Sequence, residues 1–344
     1  MIESKVICPS CKKNSIKDRY QTYWECGACG RQYSCVNGIP KLYDEDALGM
    51  SDKGLRDKVY KHMAWFYNFW NPFFMLPVRP IKVSVKYWIV YFLLVFSLIF
   101  LVYNFVDLIA FRGIGEIRIS DILFFIPLVI FIFLLSKHPR YAHLLWLSIP
   151  IKIILAIRNF KPIKTHASVH GGFQEEYLQS DKIIRMLDIA SGSGNSLFRH
   201  GWMKLNAEYT AVDLSAGMIL QGRRLMSKHK VPADFILTDA TKLPFEAETF
   251  DICTNYGAFN GFSDTKAALK EMVRVTKKGG KILILDEREY EGSTWLEHLY
   301  YKKVFACYNT LVGTPADLHT DELEDIQVHQ PYEFVYIYTA RKKM

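Results

Sequence analysis

The sequence predicts an α/β protein in which a doubly wound sheet follows a small cysteine-rich unit and a two-helix hydrophobic hairpin. From about residue 165 onward, apolar strand segments alternate with helical segments and glycine-containing turns, which is the pattern of a doubly wound sheet. Two C-x-x-C pairs stand near the N-terminus, and twenty uncharged residues at 87–106 separate them from the sheet. A chain of 344 residues has room for these two or three units.

Residues 1–43 are predicted to form a zinc-binding unit. Its two C-x-x-C pairs have fourteen residues between them and consist of Cys8, Cys11, Cys26 and Cys29. Each pair places two thiolates on one tight turn, and two such turns complete a tetrahedral structural Zn²⁺ site. The alternative is a pair of disulfides, which requires an oxidising compartment.

The residues after the second pair carry a resemblance. The stretch YSCVNGIPKLY at 33–43 is similar to the end of the small zinc domains related to the Trm112 family, over about 40 residues in all. This resemblance implies a zinc ribbon that acts as a folded scaffold or docking unit, with a possible protein partner and no chemistry of its own.

Residues 87–136 are predicted to form a transmembrane hairpin. Its first run, YWIVYFLLVFSLIFLVYNFV, spans 87–106, and its second, ILFFIPLVIFIFLLS, spans 122–136. A bilayer core of about 30 Å requires about 20 apolar residues in a helix. The alternative is a buried helical hairpin of a soluble core.

The positive charge of the chain is concentrated around this hairpin. The net charge is +8, and residues 79–164 contain eleven Lys and Arg against three acidic residues. Nine of the eleven flank the hairpin, so the positive-inside rule places both of its ends on the cytoplasmic side. The sequence therefore predicts an integral membrane protein that contacts anionic headgroups, with the zinc ribbon and the C-terminal domain in the reducing cytoplasm.

The segments on either side of the hairpin are predicted to lie at the membrane surface. Residues 44–86 are predicted to form a linker with an interfacial aromatic segment, since MAWFYNFWNPFFMLP at 63–77 has the aromatic density of an interfacial belt. Residues 137–164 form a basic interfacial segment. Within it the apolar stretch 141–160 is interrupted by Pro150 and Lys152, so it either lies in the interface or crosses the membrane.

The C-terminal segment 165–344 begins with a strand that runs into a glycine-rich turn, IIRMLDIASGSGNSLFRHG at 183–201. Such a loop alone is weak support for nucleotide binding. The next strand ends in Asp213, about 20 residues beyond the loop, where a carboxylate can hold ribose hydroxyls. A third strand carries Asp239 at its carboxyl end.

The order of these motifs resembles the class I S-adenosylmethionine-dependent methyltransferases over about 180 residues. LDIASGSG is similar to their first motif, VDLS to their acidic ribose motif, TDATKLPF to their adenine-side motif and VRVTKKGGKILI to the helix and strand that follow. The resemblance implies a Rossmann-like, seven-stranded doubly wound sheet that binds S-adenosyl-L-methionine.

The resemblance also implies a set of cofactor-binding residues. Four would line the methionine part: Asp188, Ala190, Gly192 and Gly194. Asp213 would bind the ribose, Met218 would pack near the adenine, and Asp239 with Ala240 would contact the adenine edge. Asn255 would begin the substrate-side loop. Many members have glycine where this chain has Ala190, although alanine is common there too.

Two other interpretations of this domain remain open. Dinucleotide binding would require a third glycine at the start of the helix, but Ser196 and Leu197 stand there. A degenerate, non-catalytic copy of the fold would make the protein a membrane scaffold, yet Asp213 and the loop glycines are present.

The methyl acceptor is predicted to be lipid-like, such as a quinone, polyprenyl, phospholipid or glycolipid. The run NYGAFNGFSDTKAALKEMVRV at 255–275 resembles the subgroup that methylates ubiquinone and menaquinone rings. KVYKHMAWFYNFWNP at 58–72 resembles the N-terminal lid helix of the same subgroup, which implies that the interfacial aromatic segment within 44–86 is a lid helix. Three candidates for orienting or deprotonating the acceptor are Tyr256, Asn260 and His170, and Asp286 with Glu287 could serve instead.

An RNA-modifying methyltransferase is the alternative, because zinc knuckles precede some members that modify rRNA. The charge balance disfavours it. Residues 165–344 contain 21 basic and 24 acidic residues, whereas phosphate binding favours a basic surface. No nucleic-acid partner is therefore expected.

Overall fold

The computed structural model describes residues 5–54, 56–57, 174, 176–177, 182–288, 315, 318, 320–332 and 335–344. The predicted hairpin 87–136, its interfacial neighbours 58–86 and 137–164, and His170 lie outside the described residues. Within the described ranges, no helix combines the length and the hydrophobicity that crossing a bilayer requires.

The N-terminal head, residues 5–43, contains a four-stranded antiparallel sheet. Its strands follow chain order: β1 (Ile16–Arg19), β2 (Tyr23–Cys26), β3 (Gln32–Val36) and β4 (Ile39–Pro40). Asn37 and Gly38 connect β3 to β4 with φ angles of 51° and 76°. An Asn-Gly pair suits this two-residue hairpin turn because both residues adopt positive φ at low cost. A short helix, α1 (Met50–Gly54), follows the head.

The body is built on a seven-stranded, mostly parallel sheet. Its strands are β5 (Ile184–Ile189), β6 (Ala207–Asp213), β7 (Ala233–Leu237), β8 (Phe250–Tyr256), β9 (Thr276–Glu287), β10 (Leu323–Tyr332) and β11 (Val335–Lys342). They lie in the order β10-β11-β9-β8-β5-β6-β7, and only the pairings of β11 with its two neighbours are antiparallel. The predicted seven-stranded doubly wound sheet is therefore confirmed.

Short helices connect these strands: α2 (Asn195–Arg199), α3 (Ala216–Lys228) and α4 (Thr265–Val275), with 3-10 turns at Trp202–Lys204 and Phe259–Gly261. Side chains cap the two longer helices. Ser215 accepts from the Met218 amide at 3.4 Å, and Asp264 accepts from the Ala267 amide at 2.8 Å. Such caps satisfy amides that have no partner within the helix.

Both faces of the central strands are buried, as parallel strands covered by helices require. Successive residues of one strand enter different core clusters, with Ile189 and Leu187 on one face and Met186 on the other. This alternation fixes which side chains of the sheet edge share a face.

The head and the body share one hydrophobic core. Val6 and Leu42 are fully buried in the same cluster as Phe245 and Ile236 of the body. The backbone joins the two as well: Ile7 donates to the Pro244 carbonyl at 3.0 Å, and Leu42 donates to the Leu237 carbonyl at 2.7 Å. The head thus lies against the end of β7 and the loop that follows it, in one compact unit with the body.

Candidate functional site

The predicted cofactor residues lie at the carboxyl ends of four adjacent parallel strands. Asp188 is near the end of β5, Asp213 ends β6, Asp239 follows β7, and Asn255 is near the end of β8. Ligands of open α/β sheets bind at this edge, where loops diverge from the strands. The sheet therefore brings together residues that are up to 67 positions apart in the sequence.

The loop after β5 has an unusual backbone. Ala190, Gly192 and Gly194 have φ angles of 51°, 54° and 73°. Only glycine adopts this left-handed conformation freely, so Ala190 carries a cost of about 1–2 kcal/mol. The position where related proteins often have glycine is thus one where the backbone favours glycine.

Helix α3 packs closely under this loop. A Cβ atom added to Gly222 would lie 3.1 Å from the Gly192 carbonyl oxygen, and one added to Gly192 would lie 3.2 Å from Met218 Cε. Met218 is buried, and the structure places it against the glycine loop. The two glycines allow α3 and the loop to approach so closely.

Asp213 holds the loop by hydrogen bonds to the main chain. Its carboxylate accepts from the Gly192 amide at 2.8 Å and from the Ser215 amide at 2.7 Å. Burial raises the pKa of Asp213 to about 6, although these amides partly offset the effect. The carboxylate that is predicted to bind ribose therefore also fixes the loop predicted to bind the methionine part.

Asp188 is buried and has one unpaired oxygen. Its Oδ1 accepts from Thr254 Oγ1 at 2.8 Å, while Oδ2 has no hydrogen-bond partner among the described residues. Burial raises the pKa of Asp188 to about 7, and the charge of Asp213 adds to this increase. A buried carboxylate with a free oxygen can accept a cationic or hydrogen-bond-donating ligand group.

The residues predicted to contact the adenine follow β7. Asp239 accepts from the Thr241 amide and from Thr241 Oγ1, both at 2.8 Å, which closes a tight turn. Ala240 is partly buried against the core of the body. The neighbouring Thr238 hydroxyl donates to the carbonyl of Leu42, near the end of the head, at 3.1 Å.

Asn255 and Tyr256 leave β8 on opposite faces of the sheet. Asn255 Nδ2 donates to the Ile189 carbonyl at 2.8 Å, and its buried Oδ1 lacks a hydrogen-bond partner among the described residues. The Tyr256 hydroxyl accepts from the Trp202 indole, and its ring stacks on His200 with the centroids 4.6 Å apart. Burial raises the pKa of Tyr256 well above its usual value near 10.

Asn260 is held at the end of β9. Its amide donates to Asp286 Oδ2 at 2.8 Å, and its side-chain amide donates to the Glu287 carbonyl at 2.8 Å. The structure thus brings Asn260 together with Asp286, the alternative acid predicted for the acceptor side.

The four predicted zinc ligands converge in the head. Their sulfur atoms all lie within 4.8 Å of one another, a group that can hold a metal ion. Cys11 and Cys26 are 3.6 Å apart, and Cys8 and Cys29 are 3.8 Å apart. A tetrahedron with Zn–S bonds of about 2.3 Å has edges of about 3.8 Å. The cysteines are not joined as disulfides.

Hydroxyl groups surround these sulfur atoms. Tyr33 Oη lies 3.1 Å from Cys8 Sγ, and Ser15 Oγ lies 3.0 Å from Cys26 Sγ. Hydrogen bonds of this kind orient metal ligands and stabilise thiolates. The geometry of the donor set therefore fits a tetrahedral cation.

Comparison with known proteins identifies the body. Residues 187–284 match the family model described as a methyltransferase domain. The chain carries an S-adenosylmethionine-dependent methyltransferase domain. The matched residues, 187–284, include the glycine loop, Asp213 and Asp239 at the ends of their strands, and the segment of Asn260. These parts lie at the same edge of the sheet.

The names of curated relatives of the methyltransferase domain refer to the methylation of quinones. The chain is 37% identical over 102 residues to the demethylmenaquinone methyltransferase of Renibacterium salmoninarum, which covers 30% of this chain and 40% of that protein. It is 31% identical over 153 residues to a ubiquinone/menaquinone biosynthesis C-methyltransferase of Chromobacterium violaceum, covering 43% and 62%. The chain thus spans less than two thirds of the length of these relatives.

Solved structures to which the chain is similar include a Haemonchus contortus phosphoethanolamine N-methyltransferase 2 in complex with S-adenosyl-L-methionine. It is 16% identical, with a TM-score of 0.43, and the match covers 52% of this chain and 53% of that one. The YcgJ protein of Bacillus subtilis is 20% identical, with a TM-score of 0.36 and coverage of 52% and 99%.

Sequence reasoning missed several residues that shape the methyltransferase domain. Trp202 and His200 contact Tyr256, and Thr254 bonds to Asp188. Trp202 and His200 lie outside the recognised motifs, and their roles depend on contacts across the sheet. Thr254 had a usable signal, because a polar residue inside an apolar strand beside the strand of Asp188 suggests a buried partner.

Proposed function

We propose that the protein transfers the methyl group of S-adenosyl-L-methionine to a lipid-like acceptor of the quinone class. The observation that carries this proposal is the assembly of Asp188, Asp213 and the glycine loop at one edge of a methyltransferase sheet. The names of the curated relatives support the acceptor class.

The described residues suit the chemical groups of this cofactor. S-adenosyl-L-methionine carries an ammonium, a sulfonium and two ribose hydroxyls. Asp188 offers an unpaired, buried oxygen, which is complementary to a cation or a donor. Asp213 has both carboxylate oxygens directed by backbone amides, and its remaining lone pairs can accept from ribose hydroxyls.

Methyl transfer breaks the sulfonium S–CH₃ bond and forms a bond from that carbon to the acceptor, leaving S-adenosylhomocysteine. The two reactants must be aligned, so positioning supplies much of the rate. A ring-carbon acceptor also loses a proton, which a base must accept. We assign the orientation of the acceptor to Tyr256, which ends β8 directly after Asn255 and whose hydroxyl accepts from the Trp202 indole. Asn260 with Asp286 forms the base side of the site.

We also propose that residues 87–136 anchor the protein in the membrane, with the head and the methyltransferase domain on the cytoplasmic side. The support is the uncharged run 87–106 and the basic residues that flank the hairpin. An anchored enzyme can receive its acceptor laterally, which avoids moving lipid chains into water at about 0.8 kcal/mol per CH₂. The cysteine group is proposed to hold structural Zn²⁺.

The test is a transfer assay with methyl-labelled S-adenosyl-L-methionine. The purified full-length protein is incubated with demethylated quinones in lipid vesicles and, in parallel, with total RNA. Label is expected in the organic phase, on the quinone. Label on RNA alone would overturn the acceptor proposal and favour the RNA-modifying alternative, whereas binding of the cofactor with no transfer to either would favour a scaffold.

Asp213→Ala tests the cofactor site separately. The variant loses both hydrogen bonds to the loop and the ribose acceptor, so the Kd for S-adenosyl-L-methionine is expected to rise at least about tenfold, or about 1.4 kcal/mol. The exposed acidic residue Asp321 gives the matched control, Asp321→Ala, which should leave the Kd unchanged. Calorimetry measures both, and an unchanged Kd in Asp213→Ala would refute the assigned site.

A further inference from the structure

Helix α1 is fastened to the loop that follows β8. Asp52 accepts from the Ser263 amide at 3.1 Å through Oδ1 and from the Ser263 hydroxyl through Oδ2. Asp52 is 9% exposed. One buried carboxylate therefore binds both the main chain and the side chain of a single residue 211 positions away.

The approach of α1 to Ser263 is close enough to require a glycine. A Cβ added to Gly49 would lie 2.5 Å from Ser263 Oγ and 2.6 Å from its Cβ. Contacts under about 3 Å demand that one side move. Gly49 and Asp52 thus form a fitted surface for Ser263, which we call the Asp52 latch.

The latch acts on the loop that carries Asn260, a residue proposed for the acceptor side. Residues 257–263 connect β8 to α4 and carry Asn260, whose amide and side chain are bonded to the end of β9. This loop is therefore tied to β9 through Gly257 and Asn260, and to α1 through Ser263. Besides the bond to α1, the carboxyl-terminal half of the loop is held by the packing of Phe262 on Phe259 and by the Asp264 cap of α4.

The latch also faces the cofactor edge. Burial raises the pKa of Asp52, and the negative charge of the nearby Asp239 carboxylate raises it further. The segment from Leu42 to Asp52 thus connects the carboxyl end of β7 to the loop after β8. It runs from the adenine side to the acceptor side of the same sheet edge.

We infer that Asp52 is a positioning residue for the methyl acceptor, which it serves by fixing the loop 257–263 through Ser263. The inference rests on the proposed function for the identity of the reaction. The latch itself is a property of the fold, and it can be measured without any acceptor.

The test compares Asp52→Ala with the wild type by hydrogen exchange and by steady-state kinetics, using the full-length protein in quinone-containing vesicles. Loss of the acceptor for the Ser263 amide is expected to raise exchange in 257–263 at least tenfold. The KM for the quinone should rise about tenfold, while the Kd for S-adenosyl-L-methionine stays within about twofold.

Three variants make the test specific. Asp52→Asn retains an acceptor oxygen and should restore part of the protection, and Ser263→Ala should reproduce most of the change in KM. Asp46→Ala removes an exposed carboxylate of the same segment and should change neither quantity.

The outcomes separate the two proposals. Unchanged exchange in 257–263 for Asp52→Ala and Ser263→Ala would overturn the latch. Raised exchange with an unchanged quinone KM would overturn the positioning role of Asp52. If the wild type methylates no quinone but exchange still rises in the variants, the proposed acceptor fails while the latch stands. Should Asp52→Ala fail to fold, Asp52→Asn and Ser263→Ala decide the matter by the same criteria.

Discussion

The sheet edge proposed to bind the cofactor and the cysteine cluster proposed to bind Zn²⁺ are built from different parts of the chain. At the sheet edge, the glycine loop adopts positive φ angles, and the buried Asp188 carboxylate just before it has an oxygen without a hydrogen-bond partner among the described residues. In the cysteine cluster four side chains converge at metal-ligand distances. At the sheet edge, burial of a carboxylate costs desolvation free energy before any ligand binds. In the cysteine cluster, four thiol groups lie at the spacing that a metal ion requires.

This difference sets how each ligand contributes to stability. A structural metal supplies free energy of folding directly, because the unfolded chain has no preformed site. A cofactor that binds only the folded state stabilises it according to its concentration relative to Kd. Perturbing the cluster should therefore affect the free energy of unfolding more than perturbing the edge.

The largest effect is expected from Cys26→Ser. Structural zinc contributes about 10–16 kcal/mol of apparent binding free energy in small domains, and the core of the head continues into the body. The variant should lose its metal, and its Tm should fall by about 10 °C or more. Metal analysis and calorimetry measure the two quantities.

The matched control for this prediction is Cys35→Ser. Cys35 is a cysteine of the same head that lies outside the four-sulfur cluster. It should keep the metal and most of the Tm. A Cys26→Ser protein with wild-type metal content would contradict the assignment of the cluster.

A smaller effect is expected from pH at the cofactor edge. Burial raises the pKa of Asp188 to about 7 and that of Asp213 to about 6, against 3.8 for an ordinary Asp. The folded state therefore binds protons more tightly than the unfolded state, and stability present below pH about 4 is lost as pH rises to about 7. The loss should amount to a few kcal/mol in the cofactor-free protein.

Asp188→Asn sharpens this test. The amide cannot ionise, so the fall in stability between pH 4 and 7 should become shallower, with the contribution of Asp213 remaining. Denaturant unfolding at a series of pH values measures the slope. If Asp188→Asn retained the wild-type slope while the exposed control Asp321→Asn did too, the buried carboxyl would not be the source.

The smallest effect is expected from Ala190→Gly. Glycine adopts the observed φ of 51° without steric cost, but it gains more entropy in the unfolded chain. The net result should be a stabilisation of up to about 1 kcal/mol, seen in denaturant unfolding. Ala211→Gly in the extended strand β6 should instead lower the free energy of unfolding, because Ala211 has no positive φ whose strain glycine would remove. A loss of stability in both variants would show that Ala190 is not strained.

The sequence allowed much of both sites to be predicted because their signals are local. The spacing of the cysteines defines the cluster, and Asp188, Asp213 and Asp239 each stand at a strand end that the apolar pattern reveals. The family match and the described geometry confirm the fold and the class of the domain. The membrane hairpin and the role of His170 stay predictions.

The parts that could not be predicted depend on contacts between distant segments. Nothing near Asp52 in the sequence indicates Ser263, and nothing near Leu42 indicates Thr238. The positive φ of Ala190 could not be predicted from the residue type, because alanine rarely adopts the left-handed conformation. These features appear only when the sheet edge is assembled in three dimensions.

The hydrogen bond from Leu42 to Leu237 has one more consequence. Strand β7 lies at the outer end of the sheet, and its far side would otherwise present unpaired backbone groups to other molecules. Such exposed strand edges promote self-association and aggregation. Lys41 and Leu42 of the head pair with Leu237, the last residue of β7, and so occupy the carboxyl end of this edge. The head therefore shortens the length of strand edge on which another molecule could add a strand.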